Sequence, residues 1–278
     1  MPAGYRERYA PAQMAAHAHV SAVRGDSPAH LASFPWHDPS LTALCVVAED
    51  RPGLLALISE AFVQCGLDVQ SAEAYTRRLS AGKTPPSPGT ASAGAAGAAA
   101  GAGTAKGAPS SNATPSAAAR AGTVPPVPSE AVDLFWVRRM QGGPITETEI
   151  ENLRVHLIEL LSGRRAPSLL DALGAADFVT ETTVRFIVGE DGLLNVLEVE
   201  TDDRSGLLLV LSRALYELQV QITSSQVRTS GRRVFDRFTL LELDGSPIDD
   251  TRRLEIQVAV LSAIEPMTQI REIRRAQG

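Results

Sequence analysis

Apolar runs of strand length alternate with apolar stripes of helical period along this chain, and the alternation happens twice. Leu41 to Ala48 is an almost continuous apolar run that predicts a strand. Behind it, Leu54, Ile58, Ala61 and Cys65 fall on one face of a helix expected from about Pro52 to Cys65, with Pro52 at its first position and Gly66 as its stop. A strand is expected from Leu67 to Arg77. Neither of its faces is plainly apolar, which suits an edge or an interface. Val132 to Arg139 predicts a further strand. Thr146 and Glu149 form a capping box at the start of a helix whose inner stripe is Ile150, Leu153, Leu157 and Leu160 or Leu161.

The second half follows the same order. Its elements are a strand to Thr201, a helix from Ser205 to Leu218 with Leu207, Leu211, Ala214 and Leu218 inward, and strands Val220 to Thr229 and Arg233 to Leu243. A helix from Asp249 or Asp250 to about Ile264 comes next, then a last strand over Met267 to Ile273. The repetition shows in the letters as well. Asp50-Arg51-Pro52-Gly53-Leu54-Leu55 returns as Asp203-Arg204-Ser205-Gly206-Leu207-Leu208 at an offset of 153, which also matches Leu44 to Leu197, Ser59 to Ser212 and Thr76 to Thr229. Asp133-Leu134-Phe135 matches Asp236-Arg237-Phe238 at an offset of 103, so the first copy carries about 50 extra residues. The expected fold is α+β: two βαββαβ units, each an antiparallel sheet with helices on one face.

The boundaries follow from these patterns. Residues 1–40 are rich in Ala, Pro and His without a period and are expected to be a disordered extension, with Phe34-Pro35-Trp36 docking on the first unit. The first unit spans 41–189, with a low-complexity insertion at about 80–128 expected to be a flexible loop on a hairpin tip. Ser162 to Thr180 reads as irregular with a short helix near Ser168 to Leu173, and Thr182 to Val188 as the strand closing this unit. Glu190-Asp191-Gly192 predicts a hairpin into the second unit, 190–278.

Charge and composition narrow the function. A formal charge of -6 excludes nucleic-acid binding through a basic bulk field. Two cysteines, Cys45 and Cys65, fit buried positions in a reducing compartment, and no run of 18 apolar residues occurs, so a cytoplasmic protein without membrane contact is expected. His17 and His19 lack carboxylate or thiol partners, and no metal or cofactor is expected. No Ser-His-Asp or Cys-His order, paired-aspartate nucleotidyltransferase motif or His-Asp metal signature is visible, which points away from an enzyme.

The candidate chemistry lies in the repeated turn. A strand entering a helix through Gly leaves the first helical N–H groups pointing outward, where they and the helix dipole suit a carboxylate. An α-amino acid is the natural ligand, its ammonium answered by carbonyls or an acidic side chain. The competing reading is that each Asp caps its helix and each Gly relieves a turn.

The DRPGLL turn in such a unit resembles the ACT domain, a regulatory module that binds amino acids in many metabolic enzymes. The tandem is similar to the C-terminal ACT pair of bacterial PII uridylyltransferases. That resemblance implies a ligand between the turn of one unit and an edge strand of the other, at Asp50, Arg51, Pro52, Gly53 and Leu54 and at Asp203, Arg204, Ser205, Gly206 and Leu207. It also implies glutamine as a candidate effector, a role in nitrogen metabolism, a regulated protein partner and a homodimer. Ser205 departs from the usual Pro. The expectation is a non-catalytic sensor; the alternatives are a ligand-free ACT scaffold for protein docking and the sensor part of a uridylyltransferase-like nitrogen regulator.

Overall fold

The computed structural model describes residues 3–78, 129–167 and 182–276. The insertion expected at 80–128 and the helix expected near Ser168 to Leu173 lie outside the described residues. In chain order the elements are α1 (Ala3–Arg8), α2 (Pro11–Arg24), β1 (Ala29–Phe34), β2 (Thr42–Glu49), α3 (Leu54–Gln64), β3 (Leu67–Arg78) and β4 (Ser129–Arg139). They continue with α4 (Glu147–Leu161), β5 (Thr183–Ile187), β6 (Val196–Asp202), α5 (Leu207–Glu217), β7 (Val220–Ser230), β8 (Arg233–Glu242) and α6 (Asp250–Ala276). The fold is α+β. Its strands make one open antiparallel sheet ordered β1-β2-β4-β3-β7-β8-β6-β5.

The β3–β7 pairing joins the two repeats, from Ser71 opposite Arg228 to Tyr75 opposite Ser224. This is where the strand without a plainly apolar face belongs. Helices α3 to α6 share one side of the sheet in a common core with Phe135, Val199 and Phe238. The Thr146–Glu149 capping box opens α4, and its five inner residues are buried. Helix α3 is buried on more than the expected stripe, including Leu55, Ser59, Glu60 and Phe62, because it packs on the sheet and also against α4 and α5.

Three expectations are corrected. The repeated unit is ββαββα, not βαββαβ. Residues 183–187, expected to close the first unit, pair with β6, since the Asp191-Gly192 turn folds them straight back, with the Gly189 N–H donating to the Leu193 carbonyl at 2.8 Å. The place beside β2 belongs to β1, where Leu31 faces Val46 as Val184 faces Val199, again at the offset of 153. The strand expected over Met267 to Ile273 is instead the continuation of α6, for β5 already occupies the place beside β6, and Gln269, Arg271 and Glu272 are good helix formers.

The third correction concerns the N-terminus, which is ordered over α1, α2 and β1. Its aromatics give no period because they serve different elements: Tyr5 on α1, Tyr9 just after it, and Phe34 on β1. Together with Val20 of α2 they pack on the face of β2 and β4 opposite α3, against Cys45, Val47, Leu134 and Trp136. Two buried carboxylates latch this cover. Glu73 accepts from Tyr9 Oη at 2.5 Å and Tyr75 Oη at 2.8 Å, and is paired with Arg8. Glu130 accepts from Ser21 Oγ at 2.7 Å and Arg24 Nε at 3.0 Å. Trp36 lies against Trp136 at a ring separation of 5.2 Å, so the expected Phe34-Pro35-Trp36 contact is present. The same face of the second repeat carries Glu198 between Arg185 and Arg237 and an Arg233–Glu200 pair. Hence β2 is apolar on both faces while β6 alternates.

Placing a carboxylate at Val20, which is 3% exposed, costs several kcal/mol unless α2 lifts away. In Val20→Asp the fully buried Cys45 is expected to react with a thiol reagent at a rate approaching that of the half-buried Cys65, whereas in the parent chain Cys65 alone reacts readily. An unchanged Cys45 rate in the variant would mean that α2 does not cover it.

Candidate ligand clefts at the repeat seam

Gly53 and Gly206 take φ values of 79° and 82°, in the left-handed region that a side chain disfavours. Each stands at the N-cap of its helix. The N-cap residue of each helix is a glycine, which has no side chain to cap with, and Asp50 and Asp203 stand three residues ahead of it, so neither is the N-cap residue. The helices begin at Leu54 and Leu207, which puts Pro52 and Ser205 ahead of the cap instead of inside the helix. The turns are held alike. The Asp50 N–H donates to the Ser129 carbonyl at 3.1 Å and the Asp203 N–H to that of Arg232 at 2.8 Å. Leu54 and Leu207 donate to Arg51 and Arg204 at 3.1 Å. The next N–H groups, of Leu55 and Ala56 and of Leu208 and Leu209, lie in the helix turn that no side chain caps.

The arginines have a structural duty. Arg51 Nη2 donates to the Leu161 carbonyl at 2.8 Å and Arg204 Nη1 to that of Ile264 at 3.5 Å. Each ties its turn to a carbonyl of the second helix of its own repeat.

Beneath each turn lies a carboxyl that sequence reasoning aligned but assigned no role. Asp133 on β4 and Asp236 on β8 are 3% and 1% exposed. Burial pushes Asp133 up to about 8, helped by Asp50 nearby and opposed by the Tyr75 backbone N–H. Asp236 is pushed well above the ordinary carboxylate range by burial, with Asp203 adding to the rise and the Arg228 backbone N–H opposing it. Asp50 and Asp203 are themselves raised by burial. For Asp50 the hydrogen bonds with Thr76 and Ser129 oppose the rise. For Asp203 the nearby Asp68 adds to it. The available signal was an acid at the same mid-strand place in both copies.

Each turn completes a cleft with the other repeat. The first, at Asp50 to Leu54, is lined across the seam by Tyr216, Val220, Gln221 and Ile222. The second, at Asp203 to Leu207, is lined across the seam by Val63, Leu67, Asp68 and Val69. These partners match one another at the offset of 153, so the clefts are related by the repeat. Asp68 is held by Arg138 Nη2 at 3.2 Å and Gln70 Nε2 at 2.8 Å. The clefts hold about 40 and 20 Å³, room for a water or two. Tyr216, which is 44% exposed, lies over the first turn: a Cβ on Gly53 would stand 2.7 Å from its ring.

Among the described residues no group of three or more side chains could hold a metal ion, and no helix is long and apolar enough to cross a membrane. His17 makes a 2.8 Å hydrogen bond through Nδ1 with Tyr5 Oη.

The raised Asp133 sets a pH dependence. The folded chain binds this proton more tightly than the unfolded chain, so its stabilising effect is complete below the ordinary aspartate value of 3.8 and is lost as pH rises towards about 8. Asp133→Asn is therefore expected to raise the unfolding temperature more at pH 8 than at pH 5, and to flatten the profile between them. Parallel profiles for the two proteins would show that Asp133 is not buried as described.

No protein-family profile matches the chain, and no solved structure matches it significantly. Curated proteins do match. The bifunctional uridylyltransferase/uridylyl-removing enzyme of Erythrobacter litoralis is 30% identical over 141 residues, 48% of this chain and 15% of that enzyme. The enzymes of the same name from Novosphingobium aromaticivorans and Rhodospirillum rubrum are each 32% identical. They match over 143 and 148 residues, 49% and 48% of this chain and 16% and 15% of their own lengths. The chain thus spans about 15% of the length of these relatives and is similar to one part of them.

Proposed function

We propose that the chain is a non-catalytic regulatory protein of two ACT-type units, which senses an α-amino acid in the clefts at their seam and passes the signal to a protein partner. The observation that carries this reading is the duplicated cleft: a left-handed Gly, a helix start that no side chain caps, and a carboxyl pair, closed by the other repeat. The ligand's carboxylate would take the N–H groups of the first helical turn, and its ammonium the Asp50–Asp133 or Asp203–Asp236 pair. In the ferredoxin-like description each half has its first, third and second strands side by side, with the fourth supplied from ahead of the unit. Similarity to part of the uridylyltransferases supports the regulatory reading and keeps glutamine as the first effector to try, with a place in nitrogen control as the sensor part of a larger system. A homodimer and a cytoplasmic location belong to the same proposal.

Tyr216 gives this reading a moving part. An amino acid does not fit beside Gly53 until the exposed ring turns outward; Val63 stands at the equivalent place in the second cleft. The same observation favours a second reading, a scaffold whose clefts stay closed and whose edge strands and helices dock other proteins.

Titration calorimetry and thermal shift with the twenty amino acids separate the two readings. A ligand at ten times its Kd raises stability by about 1.4 kcal/mol, and binding in the micromolar to millimolar range is expected. Gly206→Val is expected to abolish binding at the second cleft, and Tyr216→Ala to strengthen it at the first. Neither heat nor a thermal shift with any amino acid at millimolar concentration, in the parent chain and in Tyr216→Ala alike, would leave the scaffold.

A further inference from the structure

In the first repeat α1 and α2 cover the sheet face opposite α3 and α5; among the described residues no helix lies across that face in the second. The repeat offsets compare the two faces place by place. Val132, 1% exposed beneath the cover, corresponds to Phe235, which is 41% exposed on a central strand. Leu134 corresponds to Arg237 and Tyr75 to Arg228. Glu130, the carboxylate that latches α2 through Ser21 and Arg24, corresponds to Arg233. The place that receives a cation from the cover in the first half thus presents a cation in the second.

The register sets these groups around the ring. Phe235 on β8 stands between Arg228 on β7 and Glu200 on β6, with Arg233 and Arg237 two residues to either side on the same face. An antiparallel sheet can turn one face to water, so a polar face needs no further account. A phenylalanine in the middle of that face does, because its ring gains nothing until another apolar group covers it. Arg228 is exposed and forms no ion pair among the described residues. Arg185 and Arg237 share Glu198 at 2.5 and 2.7 Å, but that carboxylate is buried beneath them while both guanidinium groups are more than half exposed. What meets solvent there is cationic, in a chain of formal charge -6. Arg233 pairs with Glu200 at 2.7 Å and lies 3.5 Å from Asp202.

We propose that this face docks an acidic amphipathic helix of a partner protein, laid on the second repeat as α2 is laid on the first. Its apolar stripe covers Phe235, and its Glu or Asp side chains reach Arg228, Arg233 and Arg237. Glu190 and Asp191 border the face near the other end of the strands, which keeps the partner's acidic residues to the end at Arg228 and Arg233. Single-stranded nucleic acid suits the face less well, because stacking platforms use several aromatic rings and Glu198 and Glu200 stand among the arginines here. The docking surface is that of the protein partner in the function proposed above and rests on that part of it; amino-acid binding at the seam does not enter.

The probe is a fluorescein-labelled synthetic helix of about 18 residues, with a Leu stripe flanked by Glu. In fluorescence anisotropy with the full-length chain at low salt, it is expected to bind saturably with a Kd of about 0.1 mM or below. Phe235→Ser and Arg228→Glu, both at exposed positions, should each weaken binding at least about fivefold with the unfolding temperature unchanged. The same peptide with Lys in place of Glu should not bind. The proposal is overturned if the Glu peptide does not saturate by about 1 mM, if the Lys peptide binds as well, or if both folded variants bind as the parent chain does. It is also overturned if an oligodeoxythymidine binds more tightly and needs Phe235, which would make the face a nucleic-acid platform. Self-association of the parent chain in sedimentation, lost in Phe235→Ser, would overturn it too, with a second copy as the occupant. Thermal shifts with the amino acids are expected to be the same in Phe235→Ser and the parent chain, so the sensor reading stands or falls separately.

Discussion

The β3–β7 pairing joins the two repeats, and both clefts depend on it. The pairing covers five residue pairs, with Ser71 Oγ also donating to the Val227 carbonyl at 2.8 Å. Each strand carries an irregularity just ahead of this stretch, between Val69 and Ser71 in one and Ile222 and Ser224 in the other, at matching places in the repeat. Such a bulge increases local twist and lets a strand paired along one edge meet a new partner on the other. Once the seam forms, α3 and α5 lie side by side, and each turn is brought against the start of β3 or β7 in the other repeat. A single repeat would have the turn and its carboxyl pair but no opposite wall.

Much of this architecture was legible in the sequence. The offset of 153 located both turns, the capping box located α4, and the lack of a plainly apolar face on Leu67 to Arg77 marked the seam strand. The N-terminal cover was not legible from its own residues, since two helices separated by a short break cannot show a single period. Its trace lay elsewhere. Leu41 to Ala48 is apolar but for Thr42, whereas Val196 to Asp202 alternates, and a strand apolar on both faces needs a layer on each. The offset also reaches back to Leu31 and Val184, whose pairing partners Val46 and Val199 stand at the same offset. The order ββαββα follows from those two strands. Reading each unit as beginning at its longest apolar run hid it.

The repeats have diverged on the face away from α3 and α5. Cys45 and Val47 correspond to Glu198 and Glu200, and Glu73 to Gln226. In the first half these positions lie under the cover, with Glu73 as one of its latches; in the second, the glutamates pair with arginines in contact with water. The clefts have diverged less, in Val63 against Tyr216 and Asp68 against Gln221. The turns themselves keep Asp, Arg and Gly in both copies, and both Gly residues have the same backbone geometry.

Asp133 and Asp236 run against the ordinary economy of a core. A buried acid near a second carboxyl must hold its proton or accept a like charge close by, and the Asp133 contribution weakens as pH rises towards neutrality. A Val or Leu at the same place would pack against the helices without that penalty. One such residue could be an accident of packing. Two stand at equivalent places in the repeats, each beneath a turn that opens a helix, as the proposed sensor would need, and departures from local rules of this kind gather at functional sites. In the proposed sensor the seam would supply the opposite wall, the helix starts the donors, and the carboxyl pairs the polarity that a zwitterion's cationic end demands.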